Sequence, residues 1–269
     1  MKFPEGTLRS TILALPAVAL LIAQTLSHAN AGAGDVRILT ENFKPINYLE
    51  DGVLKGIGAA IVDELRARVG HTAKVEVLPW KRAYNEALTK PDVGVYSMMR
   101  IAQREDKFHW VGPLYSMGMI IFARADNPLK IETLEDLQNI EGIALQAGGA
   151  NHQMLKKIGV KNIVPLFDLE KRTQLLLKGR VAATISSDVL IAKDLADAGV
   201  PLSSVRPVTS LGRRDLYLGF GKQTPDTIIN AWTEAFEAMK ADGTLKRIRE
   251  QYLPGDDVWN APVFEGFPS

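Results

Sequence analysis

Two charged residues stand where open α/β sheets present groups to a ligand, just past the carboxyl ends of apolar runs. Arg104 comes soon after the run VGVYSM (residues 93–98), and Asp188 follows directly on VAATISS (residues 181–187). A guanidinium is a planar fork that matches a carboxylate through two charge-assisted bonds. A single arginine is just as well served by surface solvent, so its type alone leaves both readings open. Asp188 suits the N-cap of the helical pattern DVLIAKDL, and it is equally able to meet a cation. LQAGGANHQ (residues 145–153) passes from strand through small residues into a helix start. Backbone N–H groups there form an anion site, though a plain tight turn needs the same residues. Trp80 sits at a strand-to-helix junction, where its ring either overhangs a cleft or fills a core. Over a cleft, its face would suit an aliphatic chain or a cation.

Other chemistries lack their parts. The chain holds no Gly-x-Ser-x-Gly elbow and no HExxH, and His71, His109 and His152 are not spaced as metal ligands. Gly56-Ile57-Gly58 lacks the rest of a dinucleotide fingerprint. With no cysteine, disulfides, thiolate metal sites, cysteine nucleophiles and a lipidated N-terminal cysteine are excluded. Thus no catalytic residue, metal or cofactor is expected; Glu41 is the one further acid that a cleft enzyme could use. The 32 basic and 31 acidic side chains are interspersed, for a net charge of +1. That balance provides neither a basic stripe for nucleic acid nor a polybasic membrane patch.

The elements that would position these residues follow a secretory start. Lys2 and Arg9 precede an uncharged apolar run at 11–23, and Ala29-Asn30-Ala31 has the small-x-small pattern of a cleavage site. Residues 1–31 are therefore expected to be a signal peptide, with cleavage after Ala31 and export to the periplasm. Roughly 236 residues remain, enough for one large domain or two modest ones. Strand patterns at 35–40, 74–80 and 93–98 alternate with helical patterns at 56–70 and 81–88. The alternation restarts after 118–128. Thr133 opens a helix with Glu135 and Asp136 in its first turn, strands follow at 142–148, 162–167 and 181–187, and helical patterns lie between and after them. A strand at 216–222, a helical segment at 224–243 and a helix at about 244–252 end the pattern, with Trp232 and Phe236 on an apolar face as core. Residues 255–269 fall outside it. Two α/β units of similar size imply two lobes.

The order of ENFKPINYLEDGVLKG, VEVLPWKRAYNEAL, SMMRIAQREDKFHWVGPLY, LQAGGANHQ, LLLKGRVAATISSD and AFEAMKADGTLKRIREQYL resembles bacterial solute-binding proteins, family 3, the polar amino acid type. The resemblance runs from about residue 35 to 254. It implies a periplasmic binding protein type II-like fold: α/β, with two Rossmann-like lobes joined by a two-strand hinge, placed at about 120–124 and 217–221. The first lobe would comprise 32–121 and 221–269, and the second 122–220. The family's Ser-x6-Arg pattern falls on Ser97 and Arg104, implying that Arg104 grips a ligand's α-carboxylate. Its acid falls on Asp188, implying a partner for the ligand's ammonium. Phe43 and Trp80 hold positions of aromatic rings against the ligand, with Tyr48 a weaker candidate and Arg100 divided between ligand and surface salt bridge. Many members carry Thr or Ser at Gly149 and Met99; here those hydroxyl contacts are missing, leaving backbone amides and Asn151. Phe108 and Trp110 read as core.

The resemblance thus implies a usually monomeric receptor that captures an amino acid-like small molecule and delivers it to the membrane permease of an ABC transporter. Two rival readings share the fold: a periplasmic enzyme of the cyclohexadienyl dehydratase kind, and a ligand sensor serving a membrane signalling protein.

Overall fold

The computed structural model describes residues 36–169, 171–252 and 264. The expected signal peptide at 1–31 lies outside them. The described chain begins with β1 (Arg37–Thr40), a hairpin of β2 (Tyr48–Glu50) and β3 (Val53–Lys55), α1 (Ile57–Arg68), β4 (Glu76–Val77), α2 (Trp80–Thr89) and β5 (Val93–Met99). The 17-residue β6 (Phe108–Arg124) leads to α3 (Leu134–Gln138), β7 (Ile143–Gln146), α4 (Ala150–Lys157), β8 (Ile163–Leu166), α5 (Lys171–Leu177), β9 (Ala183–Ser186) and α6 (Asp188–Asp197). A second 17-residue strand, β10 (Val205–Gly221), returns to α7 (Asp226–Ala241) and α8 (Thr244–Tyr252). Among the described residues, no helix is long and apolar enough to cross a membrane.

Eight strands form one sheet in the order β4-β1-β5-β10-β6-β9-β7-β8. The β1, β4 and β5 strands are mutually parallel, as are β7, β8 and β9. Between these groups, β10 and β6 pair antiparallel along almost their whole lengths, from Val205↔Arg124 to Gly221↔Phe108. Each parallel group carries its own core. On one side, α1 packs Ile57, Ile61 and Leu65 with Trp232 and Phe236 of α7, both almost fully buried. The C-terminal helices therefore fold back onto the N-terminal unit. On the other side, Leu137, Ile143, Leu145, Met154 and Ile185 form a separate core. The two-lobe α/β fold is present.

The central strands change cores partway along. On β6, Val111, Leu114, Tyr115 and Met117 belong to the first core, and Met119, Ile121 and Ala123 to the second. On β10, Leu216 to Phe220 belong to the first, and Val208 and Leu211 to the second. The switch thus falls near Gly118 and between Leu211 and Leu216, a few residues from the stretches expected to act as hinge. Phe264 is the single described residue of the tail. Its amide donates to Ser210 O at 2.7 Å, and its ring joins the second core rather than the first.

Local chemistry explains several departures from the sequence pattern. Strand 74–80 shrinks to Glu76–Val77 because Pro79 starts a helix and Trp80 is already its first residue. Asp51 and Gly52 both adopt positive φ, 51° and 76°, the backbone of a two-residue hairpin turn. Gly56, at φ 107°, is required twice over: a Cβ there would stand 2.2 Å from Ile46 O.

Candidate ligand-binding site

Between the two halves lies a cavity of about 70 Å³, several times the space one water needs. The first half contributes Glu41, Phe43, Trp80, Ser97 and Arg104; the second contributes Gln146, Gly149, Asn151, Arg172 and Ser186. Apolar side chains complete it, among them Met99, Met117, Met119, Leu190 and Leu216. Two bonds span it. Trp80 Nε1 donates to Gly148 O at 3.2 Å, and Gln146 Nε2 donates to Glu41 Oε2. The halves are therefore closed upon each other.

Arg104 occupies the turn after β5, where its amide donates to Ile101 O at 2.8 Å. It is 1% exposed. One guanidinium nitrogen, Nη1, donates to Met99 O at 3.2 Å, while Nε and Nη2 have no acceptor. The cation lies over two rings, 5.2 Å from the Trp80 centroid and 5.0 Å from that of Tyr84. Burial pulls its pKa down to about 10, opposed by the nearby Tyr84 hydroxyl and Glu41, since desolvation penalises the charged form. A buried cation with two unmet donors is costly alone and suited to an anion.

Glu41 follows β1 at the neck of the cavity. The residue keeps some contact with solvent, but protein surrounds its carboxyl group. Burial pushes that carboxyl up to about 8, against the opposing influence of the Gln146 bond and of Arg104. At neutral pH the group is held mainly in its protonated form.

Ser97 sits in the left-handed region at φ 61°, and its Oγ accepts from Tyr115 OH at 2.7 Å. Gly58 makes room: a Cβ there would reach within 2.5 Å of that Oγ. Trp80 answers to both of its readings. It is 7% exposed and packs with Leu39, Ala83 and Phe108, yet it also lines the cavity. Gly149 lines the cavity at the N-cap of α4. Its amide donates to Gln146 O at 3.1 Å and that of Gly148 to His152 Nδ1 at 2.9 Å, so the turn uses these two donors itself.

Asp188 is not the N-cap of α6. Ser187 is, its Oγ accepting from Leu190 N at 3.1 Å. Asp188 is the first residue of that helix, two positions after Ser186 of the cavity wall, and its side chain lies outside those described. Arg100 faces away from the cavity: its Nε donates to Glu105 Oε2 at 2.8 Å, and the guanidinium stacks between Trp110 and Tyr217. Trp110 is accordingly half-buried rather than core, whereas Phe108 is fully buried. Tyr48 stands at the outer mouth beneath Lys44.

Sequence reasoning passed over Arg172, Gln146, Met117, Met119, Leu190 and Leu216. Arg172 was visible in principle: it stands with Thr173 and Leu176 on the buried stripe of α5, where a charge needs a reason.

The chain has relatives in sequence and in fold. A relative from Haemophilus influenzae, named a probable amino-acid ABC transporter-binding protein, is 24% identical over 242 residues, covering 86% of this chain and 92% of the relative. An ancestral arginine-binding protein bound to arginine has the same fold at a TM-score of 0.69 and 20% identity, covering 82% of this chain and 99% of that one. So does a histidine kinase sensor domain similar to periplasmic binding proteins, at 0.73 and 16% identity, covering 82% and 97%. Residues 36–255 match the family profile of the bacterial extracellular solute-binding proteins, family 3, and the chain belongs to that family.

Proposed function

We propose that this chain is a periplasmic receptor that closes on a small amino acid-like solute, leaves it chemically unchanged, and delivers it to an ABC-transporter permease. The observation that carries the reading is Arg104, a buried residue of the cavity wall with two unmet donors that a carboxylate would complete. Asp188, at the start of α6 beside that wall, takes the ammonium in this reading, while Phe43 and Trp80 hold the ligand's body. The lobes turn about the points where β6 and β10 change cores, so that a ligand touching both halves favours the closed state by its differential affinity. The name of the Haemophilus influenzae relative, a probable amino-acid ABC transporter-binding protein, supports the delivery role.

A melting-temperature screen of the mature protein against amino acids and small organic acids tests this. A ligand bound at one hundred times its Kd adds about 2.7 kcal/mol to the folded state. At least one solute with a free carboxylate should raise the melting point; a flat screen across both classes would count against a receptor. Glu41 supports one second reading, because a carboxyl kept protonated in a cavity is suited to proton donation in a dehydration. Turnover of a prephenate-type substrate would establish that role, and a bound but unchanged substrate would refute it.

A further inference from the structure

The cavity holds two buried guanidiniums, and the second is not accounted for by gripping an α-carboxylate. Arg172 is 4% exposed, on α5 of the second half. Asp194 of α6 fixes it: Arg172 Nη2 donates to Asp194 Oδ2, which also accepts from Thr173 Oγ1 at 3.1 Å. Nη1 reaches Ile185 O at 3.5 Å. Nε alone has no acceptor, although it is buried and its side chain lines the cavity. Arg104, on the opposite half, has Nε and Nη2 in the same condition.

We infer that the solute carries a second oxygen acceptor, a side-chain carboxylate or amide carbonyl, which meets Arg172 while its α-carboxylate meets Arg104. This rests on the receptor reading and narrows its ligand class. A cationic side chain would enter a cavity lined by two guanidiniums, and the described carboxyl within it, Glu41, is already engaged by Gln146. Burial further keeps Glu41 largely uncharged, so it offers a cation little. A purely aliphatic side chain would leave the buried Arg172 donor unmet, which disfavours it. Beyond the two acceptors, the body of the ligand meets methionine and leucine side chains, which suit a short methylene chain.

The test is calorimetric titration of the mature protein with glutamate, glutamine, norleucine and arginine, which share the α-amino acid head. Glutamate or glutamine should bind at least tenfold more tightly than norleucine and arginine, and their order tells a carboxylate from an amide acceptor. Arg172→Lys keeps a cation beside Asp194 but removes the Nε donor. It should reduce the affinity of the preferred ligand at least tenfold and leave that of norleucine within a factor of about two. Arginine or norleucine binding as tightly as glutamate and glutamine would overturn the inference while leaving the receptor intact. Failure of all four, together with any other solute bearing a free carboxylate, would remove the receptor reading itself.

Discussion

The two buried arginines of the cavity are held in opposite ways. Arg104 rests on aromatic faces and one carbonyl oxygen, with no carboxylate hydrogen-bonded to it. Arg172 is braced by Asp194 and keeps one spare donor. The first is a charge the fold tolerates; the second is a charge the fold uses. The difference separates binding from stability, and each prediction below tests that separation.

The largest effect is expected at Arg104. Arg104→Met should weaken binding of the natural solute by about 2–5 kcal/mol, since a buried carboxylate would lose its charged partner. The same variant should melt at an equal or higher temperature without ligand, because an unpaired desolvated cation has been replaced by an apolar chain of similar length. Calorimetry and melting curves read the two sides separately. A marked loss of ligand-free stability would show that Arg104 is structural after all.

Arg172→Met should show the reverse balance. Losing one partner of a buried pair costs about 3–5 kcal/mol, and here somewhat less, roughly 2–3, because the Asp194 side chain keeps 18% exposure. For a chain of this size that lowers the melting point by roughly 5–10 °C. An unchanged melting point would mean the ion pair contributes nothing and the contrast with Arg104 fails.

Glu41 extends the comparison to pH. Its carboxyl is raised to about 8 in the folded protein, so the folded state holds a proton that the unfolded chain releases above its ordinary value near 4.5. Stability therefore falls as pH rises from about 4.5 to 8, and levels off above that. Glu41→Gln keeps an amide in place of the protonated acid and removes this slope. Its melting point should exceed the parent's by the equivalent of about 1–2 kcal/mol at pH 8 and match it near pH 4.5, with some of the full shift lost to residual solvent. Parallel pH profiles for the two proteins would show that Glu41 ionises freely.

Much of this arrangement was legible beforehand. The alternation of strand and helix, the Thr133–Asp136 capping box and the burial of Trp232 and Phe236 follow from local pattern and appear in the structure. Phe43, Trp80, Ser97, Arg104 and Gly149 were pointed to by the family resemblance rather than by local pattern, and the five line one cavity. The long central strands were not legible, because Gly112-Pro113 and Pro207 read as breaks. The structure absorbs them as register shifts: β6 spends four residues from Val111 to Tyr115 where β10 spends two from Leu218 to Leu216. Arg172 escaped for another reason. Its meaning depends on Asp194, 22 residues away, and on a wall assembled from the other half, neither of which a local window contains.

The smallest expected effect concerns how the two walls are held together. Trp80 carries both the ring beneath Arg104 and the Nε1–H bond to Gly148 O, so its replacement by alanine would confound packing, cation–π contact and closure. Trp80→Phe separates them. The phenyl ring keeps a face for the guanidinium and most of the core contact with Leu39 and Phe108, while the bond across the cavity is lost. A neutral hydrogen bond contributes about 0.5–1.5 kcal/mol net, so affinity should drop about two- to tenfold. Because that bond exists only when the halves meet, the loss should appear as faster ligand release and a larger radius of gyration for the ligand-free protein in solution scattering. The melting point should move little. If affinity fell with the radius and release rate unchanged, the ring itself would be the ligand contact and the Gly148 bond incidental to closure.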